Sequence, residues 1–343
     1  MSRRTLTQLL GTLLALGLTL VGFVAPVPYV SLEPGPTYNT LGDDHGRPVL
    51  AVSGHATRQT QGHLDLTTVG VRTDLRLAGA LLGWFARDRA VVPRELVFAP
   101  NLTDKQQQQQ NTHDMRQSQD AATTAALAEL GLYEAKVLVG QVSPGAPAEG
   151  VLRPGDVLRS VDGRPVRNRT DLTRLITAHA PGEPVRIAYE RAGAALAATL
   201  TTVAAHDDGP PRAVVGVQAR ETITRFLAKV TISLSDVGGP SAGLMFALGI
   251  VDKLGTVEIT GGRYVAGTGE ITDVGDVRPI GGIAQKLLGA RGNGATVFLV
   301  PKDNCAEARQ NRPAGLQLIE VTSLHDALVQ LRILRDGGSP RPC

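Results

Sequence analysis

Two side chains 45 residues apart, Ser241 and Lys286, have the types and settings needed to act as a pair. Ser241 lies in "SDVGGPSAGLMFALGIVD" (235–252), with Gly238, Gly239 and Pro240 before it and Ala242, Gly243 and an apolar helical run after it. A serine at a helix start commonly caps it, its oxygen accepting a free first-turn N–H. The same position suits a nucleophile. Amides of the loop and first turn, at the positive end of the helix, stabilise an oxyanion formed beside the serine. Flanking glycines let a substrate backbone come close. This stretch alone leaves both readings open.

Gly239 to Gly243 also satisfies G-x-S-x-G, the nucleophile elbow of α/β-hydrolases, which needs an acid and then a histidine downstream. Only His325 follows Ser241, within the amphipathic "VTSLHDALVQL", and no HGGG-type segment precedes the serine. A Ser-His hydrolase is therefore the weaker alternative. Lys286, in "GEITDVGDVRPIGGIAQKLLGARGNG", sits in the first turns of a helix that follows Gly281 and Gly282. A lysine there is either a surface group reaching water or a partly buried amine. The positive helix end and burial both favour the neutral form, and a neutral amine is a general base. Lowering its pKa from about 10.4 to about 7–8 takes roughly 4 kcal/mol, within what burial supplies.

The elements that would carry this pair alternate as an α/β unit over residues 212–335. "AVVGVQAR", "KVTISLS", "GTVEIT", "RYVAGTGEIT" and "ATVFLV" read as strands, with helices near 240–253, 281–292, 302–310 and 322–335. Residues 133–204 read as a separate, mainly β unit, and 205–211 ("AHDDGPP") as a polar linker. In residues 31–132, "HLDLTTVGV" alternates as a strand. "DLRLAGALLGWFA" reads as a helix with Leu77, Leu81, Leu82 and Trp84 available for burial. "KQQQQQN" reads as a solvated loop or frayed helix start, before a helix ended by Gly131. Residues 336–343 read as a flexible tail.

Composition narrows the function. The 343 residues suggest roughly two to three domains, and 42% hydrophobic content supports real cores. Net charge is +3, mostly scattered arginine, and aromatics are 3%, so nucleic-acid binding is not expected. Two cysteines, Cys305 and Cys343, lack metal-ligand spacing, and a bridge between them would suit an oxidising compartment. None of the seven histidines falls in a metal-binding pattern, so no metal and no cofactor is expected. No lysine follows a glycine, so the sequence has no Walker A motif and no ATP dependence is expected. Arg3 and Arg4 precede a 28-residue uncharged run from Thr5 to Leu32. The run reads as a membrane anchor over residues 5–30, with residues 1–4 cytoplasmic and the remainder extracytoplasmic. A cleaved signal peptide ending at Ala25 is the competing reading.

The ordered matches Gly145–Ala148, Leu152–Val157 and Val161–Gly163 make residues 133–204 resemble a PDZ domain of the bacterial protease type. That resemblance implies a β-barrel-like peptide binder, with a groove between Ala135–Val142 and Thr170–His179. A glycine-framed carboxylate loop is not obvious, although Gly131–Leu132–Tyr133 stands near its expected place. "GGPSAGLMFAL" followed by "GTGEITDVGDVRPIGGIAQKLLGARGNGATVFLVP" resembles the α/β (α+β) proteolytic domain of Lon proteases. It implies a Ser241–Lys286 dyad with Thr268 supporting the lysine and Gly239, Pro240 and Ala242 framing the nucleophile. Many ATP-dependent relatives carry Asp three residues before the serine, where this chain has Gly238. Whether Asp236 substitutes for it stays open. The order of anchor, PDZ unit and proteolytic domain resembles the YlbL-like, PDZ-containing Lon-like proteases of bacteria. That likeness implies a membrane-anchored, ATP-independent endopeptidase acting on protein or peptide substrates. A homo-oligomer stays open, and so does a non-enzymatic peptide-binding scaffold, against which the intact Ser–Lys pair argues.

Overall fold

The computed structural model describes residues 3–60, 62–86, 88–99, 102–205, 211–234 and 237–343. Most of the expected linker and the acidic Asp236 lie outside the described residues, as do Met1 and Ser2. Chain contacts divide the molecule into two units, residues 1–130 with 229–343, and residues 131–228.

The first unit begins with α1 (Arg3–Val24), β1 (Tyr29–Asn39), β2 (His63–Arg72), α2 (Leu77–Trp84), β3 (Ala90–Pro93) and α3 (Asp104–Glu129). The second contains β4 (Tyr133–Val142), β5 (Val157–Val161), α4 (Arg169–Thr177), β6 (Pro184–Arg191), β7 (Ala194–Thr201) and β8 (Val217–Phe226). The chain then returns to the first unit with α5 (Gly243–Leu254), β9 (Tyr264–Gly267), α6 (Ile283–Gly292) and β10 (Val297–Pro301). It ends with α7 (Cys305–Gln310), β11 (Gln317–Val321) and α8 (Leu324–Arg335).

The sheet of the first unit has the order β11-β10-β9-β2-β1-β3. Its β11, β10, β9 and β2 run parallel to one another, while β1 pairs antiparallel with both β2 and β3. Half of this sheet comes from residues before the second unit and half from residues after it. The expected separation of 31–132 from 212–335 therefore differs from the observed partition: the two segments make one fold. The reason lies in burial. Leu64 and Leu66 on β2, Val265 on β9 and Phe298 on β10 are 0% exposed, so neither half-sheet is covered without the other. Leu244, Met245, Phe246, Leu248 and Ile250 of α5 are equally enclosed, with α3 packed against that helix.

Local differences have local causes. The glutamine run lies inside α3, because Thr103 and Gln106 close a capping box just ahead of it. "GTVEIT" forms bends instead of a strand, and residues 317–321 form a parallel edge strand instead. Residues 217–226 pair with β4 in the second unit and not with the sheet of the first. The last residues are fixed, contrary to the flexible tail expected. Cys343 is disulfide-bonded to Cys305, Pro342 bridges to Ile319, and Arg341 pairs with Asp326. α1, 22 residues with none buried, is about 33 Å long, enough to cross a bilayer core.

A fragment of residues 212–335 should give no cooperative thermal unfolding transition, because it lacks β1, β2, β3 and α3. A sharp transition from that fragment alone would overturn the split-domain assembly.

Candidate active site

The nucleophile loop is held from two sides. From α3, the Asn111 carbonyl accepts the Gly239 N–H at 3.0 Å, and the Ser118 hydroxyl donates to the Pro240 carbonyl at 2.9 Å. From the turn after β9, the Gly269 N–H at 2.9 Å and the Thr268 hydroxyl at 3.0 Å both donate to the Ser241 carbonyl. Gly239 has φ +85°, a left-handed conformation that glycine adopts without strain. Gly238 is required for space: a Cβ there would come within 2.9 Å of Asn111 Cβ. A side chain such as aspartate has no room there unless α3 shifts. Ser241 is half-buried at the mouth, ahead of a helix that is buried almost throughout.

Lys286 comes from the first turns of α6, behind Gly282, whose left-handed conformation starts the helix. Its Nζ lies 2.7 Å from Ser241 Oγ and 2.9 Å from Thr268 Oγ1. The lysine is 3% exposed and Thr268 1%. Burial pulls the Lys286 pKa down to about 7, because a charged amine loses its hydration there. Thr268 commits its one hydroxyl hydrogen to the Ser241 carbonyl, so its lone pairs face Nζ. A neutral amine can then donate to Thr268 and turn its own lone pair toward the Ser241 hydroxyl.

Around the pair opens a cleft of about 600 Å³, with Thr67, Thr68, Val69 and Gly70 of β2 on one side and Pro279, Ile280 and Gly281 on the other. Of the framing residues, Pro240 has no N–H and Gly239 has given its own to Asn111. Among the described residues the amides of Ser241 and Ala242 have no backbone partner, which leaves them open to an oxyanion. His325 is exposed and bonds to Glu129 at the end of α3. Glu129 lies eleven residues beyond Ser118, about 16 Å along the helix axis, so the histidine is remote from the nucleophile loop. Sequence reasoning missed Ser118 and Asn111, which sit on a polar helix with no motif to mark them. Among the described residues, no cluster of His, Cys, Asp or Glu is arranged to hold a metal ion.

The second unit has its own cleft, of about 820 Å³, along α4 and residues 212–219. Leu152, Leu158, Leu172, Ile176 and Ile187 supply its apolar lining. The expected groove against Ala135–Val142 is displaced by one strand. The sheet order β7-β6-β5-β4-β8 leaves β4 paired on both sides and β8 at the edge, where an added strand can bond. Gly131–Leu132–Tyr133 lies at the opposite end of β8, opposite Phe226 and Leu227. Val215–Gly216–Val217 is the glycine-containing stretch that borders the cleft. The edge strand comes after the polar linker, which hid its membership from sequence reasoning.

Burying Lys286 lowers its pKa in the folded chain from 10.5 to about 7, so between those values the unfolded chain binds more protons and stability rises with pH. Lys286→Met should therefore be more stable than the parent at pH 6, by on the order of 4 kcal/mol. The gap should close by pH 10.5, the ordinary lysine value. Denaturant titrations of both proteins across this range check it, and a pH-independent gap would refute a buried, depressed lysine.

Comparison with known proteins finds one family in each of two stretches of the chain. The PDZ domain family matches residues 108–202, and the Lon protease (S16) C-terminal proteolytic domain family matches residues 235–331. No curated protein matches the chain. Among solved structures, the PDZ domain of an SdrC-like protein from Listeria monocytogenes is 25% identical, with TM-score 0.23, covering 24% of this chain and 86% of that one. A solution structure from Geobacillus thermodenitrificans is 27% identical, with TM-score 0.20, covering 21% and 82% respectively. In domain content, with one stretch matching the PDZ family and another the Lon-type proteolytic family, this chain is similar to PDZ-containing Lon-like proteases.

Proposed function

We propose that this chain is a membrane-anchored serine endopeptidase, working outside the cytoplasm and without ATP, with Ser241 as nucleophile and Lys286 as general base. One observation carries the reading: an amine 3% exposed, with its pKa pulled down to about 7, sits 2.7 Å from a serine hydroxyl at a cleft. Neutral Lys286 Nζ takes the Ser241 proton as Oγ bonds to the scissile carbonyl carbon, whose oxygen becomes an oxyanion beside the Ser241 and Ala242 amides. The C–N bond then breaks, the lysine proton goes to the leaving amine, and Oγ remains acylated. Water, deprotonated by the same amine, attacks the ester carbonyl; the C–Oγ bond breaks, the lysine proton returns to Oγ, and the acid is released. Thr268 holds Nζ in place through both halves.

The location rests on three features. α1 is long enough to span, Arg3 and Arg4 precede it, and positive residues favour the cytoplasmic side. The Cys305–Cys343 bridge suits an oxidising compartment. No lysine follows a glycine, which agrees with an enzyme that runs without nucleotide. Without an unfolding motor, its substrates are already flexible or unfolded segments, presented by an extended stretch seated along β8 in the PDZ cleft.

Ser241→Ala should reduce cleavage of an unfolded protein to background. Lys286→Arg should cost about 10²–10⁴-fold in turnover although charge is conserved, because guanidinium keeps its proton. Parent activity should rise through pH 7, where the lysine loses its proton, and stay high in mild alkali. A folded Lys286→Arg protein with near-parent turnover would sink the assignment. Thr173→Trp, which fills the PDZ cleft, should raise KM for a selected protein substrate while leaving hydrolysis of a short unstructured peptide unchanged. Equal loss on both would mean the cleft does not select.

A further inference from the structure

The helix that follows the span has its polarity reversed. A surface helix of a soluble protein turns large apolar residues inward. In α2 the buried positions are Ala80 and Gly83. At Gly83 nothing larger fits, since a Cβ would come within 2.5 Å of Val91 Cγ2. The large side chains point the other way: Leu81 is 46% exposed, Leu82 74%, Trp84 53% and Phe85, just past the helix, 88%. Single exposed leucines are ordinary, but four large apolar groups within five residues form a patch that needs a partner. Leu77, Leu81, Leu82 and Trp84, read from the sequence as available for burial, are all exposed, because small residues fill the inner face.

The position of this patch identifies the partner. α2 is fastened to the end of α1: the Leu77 N–H donates to the Ala25 carbonyl at 3.0 Å and the Val27 N–H to the Leu75 carbonyl at 3.2 Å. Pro26 and Arg76 form an antiparallel bridge between these bonds. Tyr29, five residues past the end of α1, stands edge-on to Trp84 with ring centres 5.8 Å apart. If α1 crosses the bilayer, α2 starts where the span emerges, with its aromatic rings at the depth where tryptophan and tyrosine collect.

We propose that α2 and Phe85 form a second membrane contact, embedded in the headgroup–acyl boundary of the leaflet from which α1 emerges. The proposal rests on the reading of α1 as a retained span. Leu81, Leu82, Trp84 and Phe85 enter the boundary, as the apolar face of an interfacial helix does. The proteolytic unit is thereby seated on the lipid surface and not tethered above it. The partner is lipid and not a second copy, because the patch is continuous with an apolar helix that itself requires lipid.

Trp84 is the sole tryptophan in the sequence, so intrinsic emission reports this one side chain. The full chain is reconstituted in vesicles of phosphatidylglycerol and phosphatidylcholine, the latter brominated either near the headgroup or near the terminal methyl. Shallow bromines should quench Trp84 about twofold or more, and deep bromines much less, as an interfacial depth requires. Equal emission in brominated and plain vesicles would overturn the proposal. Blue-shifted, unquenched emission that grows with the protein-to-lipid ratio would mean that a second copy covers the patch, and would also overturn it. Alkaline carbonate washing and N-terminal sequencing read α1 separately. A chain that starts at Pro26 and washes off removes the span and this contact together. A chain that resists washing with Trp84 unquenched removes the contact alone.

Discussion

The amine of Lys286 is taken out of water, which favours the neutral form that the proposed mechanism requires, and the rest of its unit is arranged around that burial. Among the described residues, the hydrogen-bond partners of the Lys286 amine are two hydroxyl oxygens and no carboxylate. Such a site lowers stability near neutrality, because the protonated form has nothing to offset its lost hydration. The surroundings supply the compensation. α5 presents a continuous buried face beside it, and Ile283 and Leu287 of the lysine's own helix are 0% exposed. Reactivity and packing are in tension at this point, and the packing is dense enough to sustain the reactive group.

The same requirement explains why the two parts of the chain have to meet. Ser241 is aimed by its own carbonyl, held by Gly269 and Thr268, and by the preceding carbonyl, held by Ser118. One set of donors comes from after the PDZ unit and the other from before it. Neither part contains a complete oriented nucleophile. The long polar helix α3 is thus part of the framework that holds the Ser241 loop.

Much of the chemistry was legible in the sequence. Glycines around Ser241, the lack of a downstream histidine partner and a lysine at a helix start each follow from local spacing. Family likeness added Thr268, which the structure brings to 2.9 Å from the amine. Long-range sheet order was not legible. β1 and β2 are ordinary alternating strands, and nothing local says that β2 pairs with a strand just over 200 residues later. The edge strand of the PDZ unit escaped for a similar reason, since a polar linker resembles a domain boundary. α2 misled because apolar content predicts burial without saying whether protein or lipid provides it.

The PDZ unit leaves and rejoins the chain at nearly one point, where the Leu227 N–H meets the Leu132 carbonyl at 2.9 Å. To the surrounding fold, about a hundred inserted residues are equivalent to a tight turn, because their own pairing has already closed the loop. An insertion closed in this way adds little entropic penalty to folding of its host, whatever its length. Recognition and catalysis can then vary on separate evolutionary schedules: one binding module can replace another at the same junction while the hydrolytic centre is inherited unchanged.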